Sequence, residues 1–278
     1  MNSFLIFMTN KRSLSLDVII VTKQRYSQLL ECATRICNNT QKPANLIIVD
    51  SSSKRDEKIL LTISKLCKLK KIKLTMIEAS DHGIAYSRNL GIRSVKSTHF
   101  AFVDDDEYVT KYWCRKILIF FENNQDYQVL CGPKIPTNLD NYLNQTWASI
   151  FLPSLSYSGV ANFVPSGNSC YQTRFIRENQ LFYDERFSSS AEAHAMYSNL
   201  IHHGAQCFFL ANLCILHDWN TSLTTFTKRW FEYGRGIHFF FHEYLASEFS
   251  GSLQRYLFLA PDHLFRFFPF RNNRLVAQ

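Results

Sequence analysis

Glycine is scarce in this chain of 278 residues, with nine copies, which excludes collagen-like and glycine-rich low-complexity architectures. Long apolar runs are missing too. The N-terminal "MNSFLIFMTNKR" has five apolar residues in a row, Phe4 to Met8, too few for a secretory core or a membrane helix. The protein is therefore expected to be cytoplasmic and not integral to a membrane. The sequons at Asn38, Asn144 and Asn220 are then chance matches. No two of the eight cysteines form C-x-x-C, so a zinc or redox motif is not indicated. Most of them lie in apolar-periodic segments and read as buried free thiols. Internal repeats and low-complexity tracts are also absent.

What is present is a globular composition. Hydrophobic residues make up 46% of the chain and phenylalanine alone contributes 24 copies, enough for a large core. The net charge of +8 suits nucleic acid, an anionic membrane surface or a phosphorylated substrate. A nucleic-acid binder would rest on charge alone, because no clustered basic–aromatic recognition motif accompanies it.

Along the chain, "LSLDVIIVT" (14–22), "KPANLIIVD" and "IKLTMIE" are short Val/Ile-rich strands, and "HFAFVD" is a fourth. Between them lie helical stripes: Leu29, Leu30, Ala33, Ile36 and Cys37; Ile59, Leu60, Ile63, Leu66 and Cys67; and Ala85 to Val95. Trp113, Ile117, Phe120 and Phe121 mark a further helix. The lysines on the second helix read as a solvated face. This alternation predicts an α/β fold with a mostly parallel sheet flanked by helices. After Pro133 the segments "KIPTNLDNYLNQTW" and "LPSLSYSGVANFVPSGNS" read as loops and short strands. Residues 191–203 read as helix, 206–216 as strand and 223–245 as helix.

In such sheets, ligands bind beyond the carboxyl ends of the strands. Asp50 and Asp104 both close strands and should meet in that crevice. Asp104 is followed by Asp105 and Asp106. Three adjacent carboxylates repel one another, and a bound cation relieves that cost. An acidic turn capping the next helix is the competing explanation, although one aspartate would suffice for a cap.

"VIIVTKQRYSQLLECATRICNNTQKPANLIIVDSSS" and "HGIAYSRNLGIRSVKSTHFAFVDDDEYV" resemble the first two blocks of family 2 glycosyltransferases of the GT-A fold, the second ending in their DxD motif. "SGNSCYQTRFIRENQLFYDERF" resembles the acceptor-side block, and "LHDWNTSLTTFTKRWFEYGRG" the terminal block. The resemblance runs from about residue 16 to residue 237. It implies an inverting, metal-dependent transfer of sugar from a UDP- or GDP-sugar to a glycan or lipid-linked acceptor. It also implies Mn²⁺ or Mg²⁺, hard cations that favour carboxylate oxygen. By the same resemblance Asp104 faces the ribose, Asp105 the nucleotide and Asp106 the metal. Asp50 would accept a hydrogen bond from the base, and Thr22 and Arg25 would touch the nucleotide. Arg88 matches an arginine near base or diphosphate, with a surface helix arginine as the equal alternative. His217 matches a position beside the metal, or is a structural histidine. His238 and His242, four residues apart, read as a packed or surface pair and not as a zinc site.

Two departures stand out. "VDSSS" replaces the common "VDDGS", which leaves the base open. Where the family has Glu-Asp at a helix start, this chain has Glu192-Ala193, so the usual base is missing and Glu192 or His194 would have to substitute. The alternative is a catalytically weak nucleotide-sugar-binding or scaffold protein. The expected organisation is a single domain over 14–245, with a nucleotide-sugar half (14–133) and an acceptor half (134–245), followed by an extension at 246–278. From 251 on, that extension has four arginines against one aspartate among many aromatics. It reads either as core packing or as a peripheral attachment to the inner face of an anionic membrane.

Overall fold

The computed structural model describes residues 13–79, 82–151, 157–187, 190–219 and 222–245. The C-terminal extension at 246–278, for which core packing or membrane attachment is expected, lies outside the described residues.

Four strands alternating with three helices come first. They are β1 (Leu16–Thr22), α1 (Tyr26–Cys37), β2 (Asn45–Asp50), α2 (Glu57–Leu69), β3 (Lys73–Glu78), α3 (Ile84–Ser94) and β4 (His99–Asp104). β1 to β4 are parallel, in the spatial order β3-β2-β1-β4. β1 and β2 are buried along almost their whole length, as strands covered on both faces must be. Val18 and Ile20 face α1 and α2, whereas Ile19 faces α3. Each such side chain contributes roughly 1.5–3 kcal/mol by leaving water. Gly91 brings α3 close to β1: a Cβ there would lie 2.6 Å from Ile19 Cγ2.

The second half joins the same sheet. β5 (Glu107–Val109), α4 (Trp113–Asn123), β6 (Val129–Cys131), β7 (Lys134–Pro136) and α5 (Tyr142–Phe151) follow. Next come β8 (Gly159–Val160), β9 (Ser169–Gln172), α6 (Thr173–Glu178), α7 (Glu192–His202), β10 (Cys207–Phe209), β11 (Ile215–His217) and α8 (Leu223–Phe240). β9 inserts antiparallel between β4 and β6, and β10 and β8 complete the edge. A small second sheet, β5-β11-β7, lies over the end of β4.

Three expectations change. The stretch read as loop at 134–147 contains the start of helix α5, where Asn141 Oδ1 accepts from Leu143 N (2.8 Å) at the helix N-terminus. The single strand expected at 206–216 is two strands in different sheets, divided at Leu210–Cys214. The last helix turns into a π-helical segment at Phe241–Leu245. The cysteines are free, and all but Cys214 are buried. No helix among the described residues is long and apolar enough to cross a membrane.

Candidate active site

Thr22, Asp50 and Asp104 end three adjacent strands, with Thr22 opposite Asp50 and Val21 opposite Asp104 in register. The chain leaving β4 then carries Asp105, Asp106 and Glu107 through a tight turn into β5. Four consecutive carboxylates are thus held at the carboxyl edge of the sheet, and each meets a basic side chain, Arg25 and Lys134 serving two apiece.

Asp104 Oδ1 accepts from Arg88 Nη2 at 3.1 Å, and Oδ2 lies 3.6 Å from Lys134 Nζ. Burial disfavours its charge, but Lys134 and Arg88 outweigh that and hold the carboxyl below the usual range. Asp105 is wholly buried. It accepts from Thr22 Oγ1 at 2.8 Å and from Arg25 Nε at 3.1 Å, while Arg25 Nη2 meets its other oxygen. Burial nevertheless pushes it up to about 7, against the Arg25 fork. Asp106 Oδ2 accepts from Arg25 Nη1 at 2.5 Å, and Oδ1 lies 3.3 Å from His217 Nε2. Here burial is overcome by His217 and Arg25, so the carboxyl is held well below the ordinary range.

Glu107 Oε2 accepts from Asp104 N at 2.9 Å, and Oε1 pairs with Lys134. Burial raises this carboxyl, with Lys134 opposing. Gly167 makes the room: a Cβ there would fall 2.3 Å from Glu107 Oε2. Asn168, next in the chain, is structural. Its side chain accepts from Trp113 Nε1 (2.8 Å) and donates to the carbonyls of Pro133 and Leu213.

His217 reaches the turn because β11 pairs antiparallel with β5, placing His217 opposite Glu107. Its Nδ1 is buried and has no hydrogen-bond partner among the described residues. Arg88 is a core residue with 2% exposure, which removes the surface-arginine reading. It bridges Asp104 to Glu192, whose Oε1 accepts from Arg88 Nη1 (2.6 Å) and from Ser166 Oγ (2.8 Å).

A cavity of about 580 Å³ opens beside this cluster. Arg25, Asp104, Asp106 and His217 line its sheet side. The opposite wall is α8, with Thr225, Lys228, Arg229, Glu232 and Tyr233. Thr22 and Asp105 lie beneath Arg25, and Arg88 and Glu192 lie behind Asp104. Two expected residues fall elsewhere. Asp50 is not a cavity-lining residue: Tyr26 Oη donates to Oδ2 at 2.7 Å, and Ser52 N to Oδ1 at 3.0 Å. His194 sits between the rings of Phe163 and Phe240, and burial pushes its pKa down to about 4. His238 and His242 are exposed.

Glu107, Lys134, Lys228, Arg229, Glu232 and Tyr233 are functional candidates that the reading of single motifs did not reach. For the α8 residues the signal was the basic, aromatic run "TKRWFEY"; for Lys134 there was none. No group of three or more His, Cys, Asp or Glu gathers as a metal cage among the described residues. The Asp106 carboxylate and His217 imidazole offer an oxygen and a nitrogen donor side by side. That pair suits Mg²⁺ or Mn²⁺, which keep water and substrate phosphate in the rest of their shell. The donor set therefore fits such an ion, with the phosphates supplied by a ligand.

The family profile for glycosyl transferase family 2 matches residues 17–187. Among solved structures, the 1–349 portion of S. aureus TarS superposes with a TM-score of 0.59 at 15% identity, over 74% of this chain and 60% of that one. The same portion in complex with UDP gives 0.60 at 16%, over 77% and 63%, and in complex with UDP-GlcNAc 0.60 at 15%, over 75% and 60%. The chain thus spans less than two thirds of the length of these neighbours, and at such identities the likeness speaks for the fold. No curated protein matches.

Proposed function

The chain belongs to glycosyl transferase family 2, and from that premise we propose that it transfers a sugar, with inversion, from a UDP- or GDP-sugar to a hydroxyl of a glycan or lipid-linked acceptor. The observation that carries this reading is the cavity itself. Its sheet wall presents Asp104, Asp106 and His217, and its α8 wall presents Lys228 and Arg229. A nucleoside diphosphate needs both kinds of group, oxygen donors for a bridging cation and fixed positive charge for the remaining phosphate oxygens. The UDP and UDP-GlcNAc complexes of TarS support a nucleotide-sugar donor in a fold of this kind.

In this reading Asp106 and His217 hold Mn²⁺ or Mg²⁺. The ion, when bound, neutralises the charge that develops on the departing diphosphate. Thr22, Asp105 and Arg25 form the floor under the nucleotide, with Asp105 kept in place by the other two. Asp104, oriented by Arg88 and Lys134, faces the ribose. Lys228 and Arg229 draw the anionic donor in and balance the leaving group. Glu192 and His194 are the acceptor-side groups expected from the sequence to take the proton. Seven buried free thiols suit a reducing, cytoplasmic compartment.

A second reading, a nucleotide-sugar-binding protein with weak turnover, draws on Ala193, the residue after Glu192 at the start of α7, which has no ionisable group. Thermal-shift measurements with UDP and GDP, with and without Mn²⁺, test the donor site. The wild type should be stabilised by nucleotide and more so with Mn²⁺. Asp106→Asn should keep its fold but lose the manganese-dependent part. An Asp106→Asn protein with unchanged manganese-dependent stabilisation removes Asp106 from the metal. The same set with nucleotide sugars and a turnover assay separates enzyme from binding protein.

A further inference from the structure

Attack by an acceptor hydroxyl requires a group to take its proton, and the usual position offers none. Ala193 has no ionisable side chain. The Oε1 of Glu192 is held by buried Arg88 and by Ser166. His194 lies against the tilted rings of Phe163 and Phe240 and does not line the cavity. Three carboxylate residues line the cavity: Asp104, Asp106 and Glu232. Asp104 faces Arg88 and Lys134, and Asp106 faces Arg25 and His217, all on the sheet side. Glu232 comes from the opposite wall.

Its turn of α8 is tied to the entry of α7. Ser190 Oγ donates to the Glu232 carbonyl at 2.7 Å, which fixes this turn of α8 against the residues that enter α7. Gly236 permits the approach, because a Cβ there would lie 2.2 Å from Ser190 Oγ. Gly236 thus has a physical reason, and the contact sets the turn of α8 that carries Glu232 beside the entry to α7.

We propose that Glu232 is the general base of the transfer, supplied by α8 in place of residue 193. This rests on the glycosyltransferase reading above. The acceptor oxygen bonds to the anomeric carbon as the bond from that carbon to the phosphate oxygen breaks. The hydroxyl proton passes to the Glu232 carboxylate, and the bonding electron pair leaves with the nucleoside diphosphate. The charged and titratable groups around Glu232 are Lys228, Arg229, Tyr233 and Arg235 on α8, and Arg25, Asp104, Asp106 and His217 across the cavity. Arg235 Nη1 reaches Glu232 Oε1 at 3.3 Å from the exposed side of the helix.

The test uses the full chain with Mn²⁺. UDP and GDP binding is measured by calorimetry, and nucleotide release from a panel of UDP- and GDP-sugars is followed with water and glycans as acceptors. Glu232→Gln should lower kcat by about 10²–10⁴-fold with UDP affinity unchanged, and should abolish the acid limb of the pH–rate profile. Glu232→Asp should restore part of the rate, whereas Glu192→Gln should retain the acid limb. A Glu232→Gln enzyme at the wild-type rate, or loss of the acid limb in Glu192→Gln instead, overturns the assignment. A wild type that binds UDP or GDP but releases it from no sugar also overturns the base, while leaving the donor site intact. A wild type that binds neither nucleotide overturns the donor reading and this proposal with it.

Discussion

The two walls of the cavity are built in opposite ways. On the sheet side, Asp105, Asp106, Glu107 and Arg88 are all at most 5% exposed, and each is paired with an opposite charge. On the other side, α8 runs for 18 residues and buries only Phe240 among those described. Charge is therefore largely buried in one wall and largely exposed in the other. A buried ion is costly unless its partners stay in place, so the sheet wall has to be preorganised. A half-exposed helix carries little of that cost, and its side chains can meet a ligand that comes and goes.

The sharpest way to break this contrast is Arg88→Met. It leaves Asp104 and Glu192 without their shared partner, and a buried charge stripped of its partner costs about 3–5 kcal/mol. Urea denaturation should show a loss of that size. A loss under about 1 kcal/mol would mean that the sheet wall tolerates open charge as α8 does.

A smaller effect should appear in acid. Burial holds His99, at the opposite end of β4 from Asp104, down to about 4. A histidine depressed in the folded state adds stability above its unfolded value of about 6.5 and loses it as pH falls toward its folded value. Asp105, raised to about 7, acts in the opposite sense over much the same window. The histidine contribution must therefore be read as a difference. His99→Gln should be less stable than the wild type at neutral pH, with the gap narrowing by roughly 2–3 kcal/mol toward pH 4. A gap independent of pH would show that His99 contributes by packing on Phe121 alone.

The smallest effect belongs to α8. Lys228→Ala and Arg229→Ala should each weaken UDP binding about tenfold, with a shallower dependence on salt. Neither should move the melting temperature by more than about 2 °C. A marked loss of stability in either variant would erase the distinction between the walls.

The legible parts of this protein were those with a local signature. Val and Ile runs mark β1 to β4 because a strand buried on both faces leaves polar residues little place. Three adjacent aspartates mark the turn after β4 for the same kind of reason, since like charges in a row need an outside partner. Helix α5 was missed because its capping asparagines look like loop residues until the backbone shows what they accept. Lys134 was missed because a charged side chain in a chain of net charge +8 carries no local sign of which carboxylates it will meet.

Which cation answers which carboxylate was decided only in three dimensions. Arg25 lies 80 residues from Asp105, and Arg88 lies 104 residues from Glu192. Those pairings depend on the register of β1 against β4, on β11 pairing with β5 to bring His217 to Asp106, and on α8 packing at Ser190. By itself the sequence determined that strands would end in carboxylates and that those carboxylates would need neutralising. Coulombic attraction acts over distance in space and is blind to distance along the chain, so only the tertiary structure could decide the partners.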